Sequence, residues 1–261
     1  MTLNASSRPL FDDPAAYDVF MGRYSGPLAE GFVQASGVRP GERILDVGCG
    51  TGALAAALAA IVGPEQVSAV EPSEPFAEAA RRRVPGADVR SGPAEALPFP
   101  DRSFDRSLSQ LVFHFVDDPV SAAAEMARVT EPGGTVAACV WDATGGMTMI
   151  RAYWDAAREA DPNAPDEIER FGGRPGQLAE LWRTTGLRDV EDGTLTVSSS
   201  YRDFDELWDS FMGAVGPVGV HAASLDGAAR DAVRAALWRN VGSPTGPFEL
   251  EATAWLVTGI V

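Results

Sequence analysis

The chain of 261 residues contains no lysine, so all 21 of its basic residues are arginine. Schiff-base and lysine-nucleophile chemistry are thereby excluded. Cysteine is equally scarce. Cys49 and Cys139 cannot form a disulfide framework, and with 2 histidines, His114 and His221, no Cys/His cluster with zinc-ligand spacing exists. No metal site is expected. Apolar runs all fall short of the roughly 20 residues that span a bilayer. The opening MTLNASSRPLFDDPAAYDVF carries acids and prolines where a signal peptide needs an unbroken apolar stretch. A reduced, cytoplasmic protein without a membrane partner is the expectation. Positive charge is in deficit as well: 21 basic against 37 acidic residues leaves a net charge of −16. That charge repels phosphate backbones and anionic headgroups, so nucleic acid is not an expected partner.

What is present suits one large α/β domain. Hydrophobic residues make up 45% of the chain, enough for a substantial core. From residue 40 onward, short β-like runs alternate with helix-like ones. The strands are RILDV (43–47), VSAVE (67–71), ADVRS (87–91), FDRSLSQ (104–110) and GTVAACVW (134–141). Alanine-rich helices are expected over 52–62, 75–84 and 118–130, with PGG at 132–134 stopping the last and turning the chain into the next strand. Such alternation builds an open, mostly parallel sheet whose ligand lies at the carboxyl ends of the strands. Residues 1–39 read as an N-terminal helical arm whose aromatics, Phe11, Tyr17, Phe20, Tyr24 and Phe32, are expected to pack. Beyond Trp141 the rhythm breaks. Helices over 147–160, 174–186 and 204–215 form a cap, and residues 193–202 and 251–261 alternate like two strands that complete the sheet edge.

The informative stretch is ILDVGCGTGALAAALA, residues 44–59. Glycines at a strand-to-helix junction turn tightly and let a ligand approach the main chain. Read as G-x-G-x-x-A, Gly48, Gly50 and Ala53 also fit a nicotinamide dinucleotide loop, and Glu71 at the end of the second strand could bind a ribose in either case. Asp46 separates the two readings. A carboxylate two residues before the first glycine would repel a pyrophosphate. It would attract a cationic head such as the sulfonium and ammonium of S-adenosylmethionine, which carries no phosphate.

ILDVGCGTGALAAALA, AVEPSEPFAEAARRRV, GPAEALPFPDRSFDRSLSQLVFHFVDDP and EMARVTEPGGTVAACVWD follow one another in order. Together they resemble the class I S-adenosylmethionine-dependent methyltransferases, in particular the branch similar to the ubiquinone and menaquinone biosynthesis methyltransferases. The resemblance covers roughly residues 40–142, and YDVFMGRYSGPLA resembles that branch's N-terminal arm. It implies a Rossmann-like, seven-stranded, mostly parallel sheet with helices on both faces and a helical cap. The whole chain, 1–261, would form one methyltransferase domain: arm 1–39, cofactor-binding core 40–142, and 143–261 supplying cap helices and sheet-completing strands.

The resemblance implies roles for individual residues. Asp46, Gly48, Gly50 and Gly52 would face the methionine part of S-adenosylmethionine, with Cys49 only packing. Glu71 would accept both ribose hydroxyls, Pro72 and Ser73 would line the adenine side, and Ala94 and Glu95 would edge the adenine. Where the family often has an acid before that alanine, this chain has Pro93, which offers neither an amide hydrogen nor a side-chain acceptor. Ser109 and Gln110 would face the sulfonium. His114 is a candidate general base or substrate-orienting donor, with packing at a helix start as the alternative. Arg23 is a candidate partner for the methionine carboxylate, against an ordinary surface arginine. Trp141 and Asp142 would point toward the acceptor. Trp154, Trp182, Trp208, Phe211, Met212 and His221 belong to the cap, most as core and some as pocket wall.

Methyl transfer from a sulfonium is an in-line displacement. The protein's work is to align the partners and exclude water. A small-molecule acceptor is expected, of natural-product, quinone-like or phenolic type. The alternatives are a related protein that binds the cofactor without transferring methyl or catalyses another reaction in its pocket, and a nicotinamide-dependent oxidoreductase.

Overall fold

The computed structural model describes residues 11–261, so the first ten residues of the expected arm lie outside the described residues. Seven strands form one sheet in the order β3-β2-β1-β4-β5-β7-β6. Its centre is β1 (Ile44–Val47), fully buried and paired in parallel with β2 (Val67–Glu71) and β4 (Phe104–Gln110). β3 (Asp88–Ser91) and β5 (Thr130–Trp141) extend the parallel part on either side. β7 (Phe248–Ile260) runs antiparallel to β5, and β6 (Arg188–Tyr201) antiparallel to β7.

Both faces of the parallel part are covered, which is why its strands read as continuous apolar runs rather than alternating ones. Along β5, Ala137 and Cys139 join the core shared with α3 (Ala53–Val62) and the cap, whereas Val136, Ala138 and Val140 join the one under α5 (Pro119–Val129) and α7 (Gln177–Thr184). This is the two-residue period of a strand buried on both sides. α4 (Glu74–Arg83) completes the crossovers. Chain order reverses at β1, whose successor β2 lies on one side and β4 on the other. That topology opens a crevice at the carboxyl ends of β1 and β4.

The arm starts with α1 (Pro14–Tyr17), capped by the Asp13 carboxylate accepting from the Ala16 N–H. It passes through one wide π-turn, Asp18–Gly22, and continues as α2 (Arg23–Ala35). Asp18 fastens the turn to the core: it accepts from the Thr51 hydroxyl at 2.7 Å and from Arg83 at 2.5 Å. Phe20, Tyr24 and Phe32 are buried as expected, while Phe11 and Tyr17 are only half-buried.

Two expectations need correction. α5 ends at Val129, and the PGG segment lies within β5, where the register shifts between Phe104 and Arg106. A Cβ on Gly134 would lie 2.6 Å from the Asp105 carbonyl oxygen, so the glycine permits a bulge rather than a turn. The cap also contains more helix than its pattern announced. Beyond α6 (Thr148–Ala160) and α8 (Phe204–Phe211), it includes α9 (Gly216–Ser224) and α10 (Gly227–Asn240). α10 packs on α6 through Val233, Ala236 and Leu237. α9 offers Gly, Pro, Val and Ala with little charge to mark an outer face.

Candidate active site

The loop after β1 forms the floor of the crevice. The N–H groups of Gly48 and Cys49 both donate to the Val70 carbonyl, at 2.8 and 3.0 Å, folding the loop back onto β2. Gly48 has φ +73°, and a Cβ there would collide with the Val112 side chain. Gly52 has φ +87°, and its Cβ would lie 3.1 Å from the Ala80 Cα, so this glycine sets the approach of α4 to the start of α3. Glu71 closes the floor. Its Oε2 accepts from the Gly50 N–H and its Oε1 from the Ser73 N–H, each at 3.0 Å. Burial raises its pKa against the pull of those two amides. Both oxygens keep a free lone pair, an arrangement suited to a vicinal diol. A cleft of about 320 Å³ opens above them, lined by Pro72, Phe76, Pro93, Ala94, Leu111 and Val116 among others.

At one end, a space of about 30 Å³ runs under the loop between Asp46, Ser25 and Gln110. Asp46 is 1% exposed, and neither of its carboxylate oxygens has a hydrogen-bond partner among the described residues. The Ser25 hydroxyl and the Gln110 Oε1 are likewise without one, although Gln110 Nε2 donates to the Ser25 carbonyl at 2.9 Å. Burial pushes the Asp46 pKa up to about 8, the Glu71 charge adds to it, and the nearby Ala55 amide works against it. Leaving such groups unpaired costs about 1–3 kcal/mol each. A pocket of oxygens short of donors fits a ligand that brings an ammonium or other cationic donor, the donor set expected for the methionine end of S-adenosylmethionine.

A further cavity of about 70 Å³ lies beside the cleft, against Phe20, Trp141, Met147, Ile150, Glu167 and Arg170. Phe11, Tyr17 and Phe115 line both. Tyr17 borders all three spaces. It packs edge-on to Phe76 with centroids 5.4 Å apart, and Phe11 meets Phe115 at 4.9 Å, so the arm roofs the crevice with aromatic rings.

Gly48, Gly50, Glu71, Pro72, Ala94, Glu95 and Gln110 border the cleft, and Asp46 the space beneath it. Glu95 also caps the turn into α5, accepting from the Asp117 N–H at 3.0 Å. Cys49 is buried and lines the small space beside Asp46, and burial raises its thiol pKa. Gly52 acts through the α3–α4 approach and does not line the cleft. Two expectations, for Ser109 and Arg23, place residues where the structure does not, and for His114 the structure shows the packing alternative. Ser109 is fully buried and donates to the Val47 carbonyl at 3.0 Å: adjacent strand residues point to opposite faces, and Gln110 takes the ligand side. Arg23 pairs with Glu206 at 2.7 Å and lies over the Tyr201 ring at 4.1 Å, which ties the arm to α8. His114 has Nδ1 2.8 Å from the Phe171 carbonyl and Nε2 3.1 Å from the Trp141 carbonyl. Burial lowers its pKa to about 4, opposed by those carbonyls and aided by Arg170. His114 lines the aromatic cavity, and with both ring nitrogens on main-chain oxygens it takes the packing alternative, bracing the 161–176 loop against the end of β5.

Trp141 lines the smaller cavity as expected, whereas Asp142 turns to its own loop, accepting from the Thr144 and Gly146 amides at 2.8 and 3.1 Å. In the cap, Trp154, Trp182, Trp208 and Phe211 are core, and His221 sits 2.8 Å from the Tyr153 hydroxyl. Sequence reasoning missed Tyr17 and the pair Glu167–Arg170. The only signal for Tyr17 was its place in YDVFMGRY, and Glu167 and Arg170 sit in a loop without a motif.

The chain is similar to known methyltransferases. Residues 45–138 match the family described as a methyltransferase domain. Over 183 residues the chain is 42% identical to a demethylmenaquinone methyltransferase of Beutenbergia cavernae, covering 63% of this chain and 75% of that one. It is 33% identical over 177 residues to an uncharacterized 37.1 kDa protein in transposon TN4556 of Streptomyces fradiae, covering 66% of this chain and 50% of that one. The chain spans about half the length of several such curated relatives, from 40% to 50%. Among solved structures, phosphoethanolamine N-methyltransferase 2 of Haemonchus contortus, bound to phosphomonomethylethanolamine and S-adenosylhomocysteine, shares the fold. The TM-score is 0.59 at 16% identity, covering 95% of this chain and 56% of that one.

Proposed function

The chain belongs to the class I S-adenosylmethionine-dependent methyltransferases, and from that premise we propose that it methylates a small, uncharged, largely apolar molecule held in the cavity beside Trp141. The observation that carries this reading is the adjacency of three spaces around Tyr17, which lines each of them: a carboxylate-floored cleft, a buried pocket of unpaired oxygens, and an aromatic cavity. S-adenosylmethionine supplies an electrophilic methyl group on a positively charged sulfur.

The residues divide the work. Glu71, its carboxylate aimed by the Gly50 and Ser73 amides, holds the ribose. Asp46, with the Ser25 hydroxyl and the Gln110 carbonyl oxygen, takes the ammonium. Pro72, Ala94 and Glu95 border the adenine. Pro93 leaves the adenine amino group without the acid the family often provides, so aromatic packing from Phe11 and Phe76 replaces it. Phe11, Tyr17 and Phe115 exclude water and fix the angle at which the acceptor meets the methyl group, which is where most of the rate enhancement for such a displacement arises. Membership of the methyltransferase family sets the dinucleotide alternative aside.

Calorimetric titration with S-adenosylhomocysteine and NAD, followed by a methyl-release assay on apolar phenols, amines and enolates, tests the reading. Micromolar binding of S-adenosylhomocysteine, no binding of NAD, and turnover with at least one acceptor are expected. Tight binding without release of S-adenosylhomocysteine from any acceptor would favour a protein that binds the cofactor and does not transfer methyl.

A further inference from the structure

Resting on that reading, we propose that Glu167 is the proton acceptor of the transfer and that the methylated molecule carries an acidic hydroxyl, as a phenol or enol does. Among the described residues, the aromatic cavity is lined by four titratable side chains, Tyr17, His114, Glu167 and Arg170. Three of them cannot serve. The His114 nitrogens both face main-chain carbonyls. The Tyr17 hydroxyl holds its proton more tightly than a free phenol because it is buried beside Glu71 and Asp18. Arg170 stays charged, with its guanidinium 4.9 Å from the centre of the Phe115 ring.

Glu167 is the remaining carboxyl on the wall, and its environment prepares it. Its Oε2 accepts from Trp154 Nε1 at 2.9 Å, and Trp154 is itself fully buried, so the carboxyl is fixed from behind. Arg170 Nε lies 3.2 Å from Oε1. The charged groups around it are Arg170 and Asp166 on its own loop, Asp166 being held by Arg151 and Arg158 of α6, with His114 and Tyr17 across the cavity. Burial raises its proton affinity above that of an ordinary glutamate; the Trp154 bond and Arg170 draw it down, and Asp166 adds to it. A carboxyl tuned in this direction is a better base toward a weakly acidic hydroxyl. Glu167 and Arg170 together make the cavity neutral, so neither an ammonium nor a carboxylate substrate gains from its charge.

In the step, the acceptor O–H bond breaks and its proton passes to the Glu167 carboxylate. The oxygen electron pair forms the bond to the methyl carbon, and the carbon–sulfur bond breaks with its pair remaining on sulfur, which becomes neutral. Glu167 then returns its proton to solvent.

The probes are 2-naphthol and the more acidic 6-cyano-2-naphthol, with the wild type, Glu167→Gln and Glu167→Asp. Glutamine still accepts from Trp154, so the substitution is expected to leave S-adenosylhomocysteine affinity within twofold. It should lower kcat for 2-naphthol about 100-fold, in the range general bases contribute, and lower it less for 6-cyano-2-naphthol. Aspartate keeps the carboxyl and should restore kcat to within about tenfold of the wild type, with the acid limb of the pH profile retained. Unchanged rates in Glu167→Gln, or equal losses in Gln and Asp, would overturn the role of Glu167 while methyl transfer stands. Methylation of tryptamine but of neither naphthol would overturn the hydroxyl class. Failure to transfer methyl to any acceptor would instead count against the function proposed above.

Discussion

Replacing Asp46 by asparagine is expected to stabilise the ligand-free protein while weakening its hold on S-adenosylmethionine. The carboxyl is buried with no close hydrogen bond among the described residues and only the nearby Ala55 amide to favour its charge, and its pKa moves from an ordinary 3.8 to about 8 on folding. Folding therefore favours the protonated acid. Above pH 3.8 the unfolded chain ionises and the folded one does not, so the wild type loses stability steadily until the pH reaches the folded value. At pH 7 the loss amounts to about 4 kcal/mol, at 1.36 kcal/mol per unit. Asparagine escapes it, though its amide brings donors that offset about 1–3 kcal/mol. Urea denaturation from pH 4 to 8 checks the reasoning: the advantage of Asp46→Asn should shrink by about 4 kcal/mol as the pH falls from 7 to 4. Binding reads the same group from the other side. A cationic ligand draws the acid into its ionised form, so calorimetry in buffers of different ionisation enthalpy should find about 0.9 proton released per cofactor at pH 7. Asp46→Asn should release close to none and bind roughly 10- to 100-fold more weakly, the loss of one hydrogen bond to a charged group. Parallel pH dependence of stability in the two proteins, with no difference in proton release, would refute this account of Asp46.

Other substitutions probe the remaining parts. Glu71→Ala, which frees the Gly50 and Ser73 amides and removes the diol acceptor, should weaken S-adenosylhomocysteine binding about 100-fold or more by calorimetry, at 1.5–3 kcal/mol per charge-assisted bond. Gly52→Ala should cost about 1–3 kcal/mol in urea denaturation, because its left-handed backbone and the Ala80 contact both resist a Cβ. His114→Gln should leave the transfer rate at pH 8 within a few-fold of the wild type. His114 drops from 6.5 to about 4 on folding, so the wild type loses stability as the pH falls through that interval, by up to about 3 kcal/mol. The variant should lack this component when both are unfolded at pH 4.5 and 7.5. Asp18→Asn breaks the charge pairing with Arg83 and should speed hydrogen exchange in residues 11–22 relative to those of β1.

The parts of this molecule legible in its sequence are those whose cause is local. Strand, glycine turn and helix follow each other within 44–62, and the same unit recurs, so the parallel strands and the cleft floor could be read from spacing. Glu71 ends its strand with a fixed relation to the loop, which is why its place was recoverable. Residues whose position depends on distant chain returning to the crevice were not legible. Tyr17 reaches it because Asp18 is tied to Thr51 and Arg83, 33 and 65 residues away. The two readings of His114 were left open because the carbonyl at its Nδ1 belongs to Phe171, 57 residues on. Ser109 and Gln110 were indistinguishable because a strand buried on both faces carries no polar alternation to show which side holds the ligand. Arg23 carried no mark in the sequence that Glu206 would claim it.

The account stands most directly on where the cofactor lies. A crystal structure of the complex with S-adenosylhomocysteine should show its amino group against Asp46, its ribose hydroxyls on Glu71, and its sulfur facing the cavity between Tyr17 and Trp141. An amino group away from Asp46, or a sulfur turned from that cavity, would contradict it.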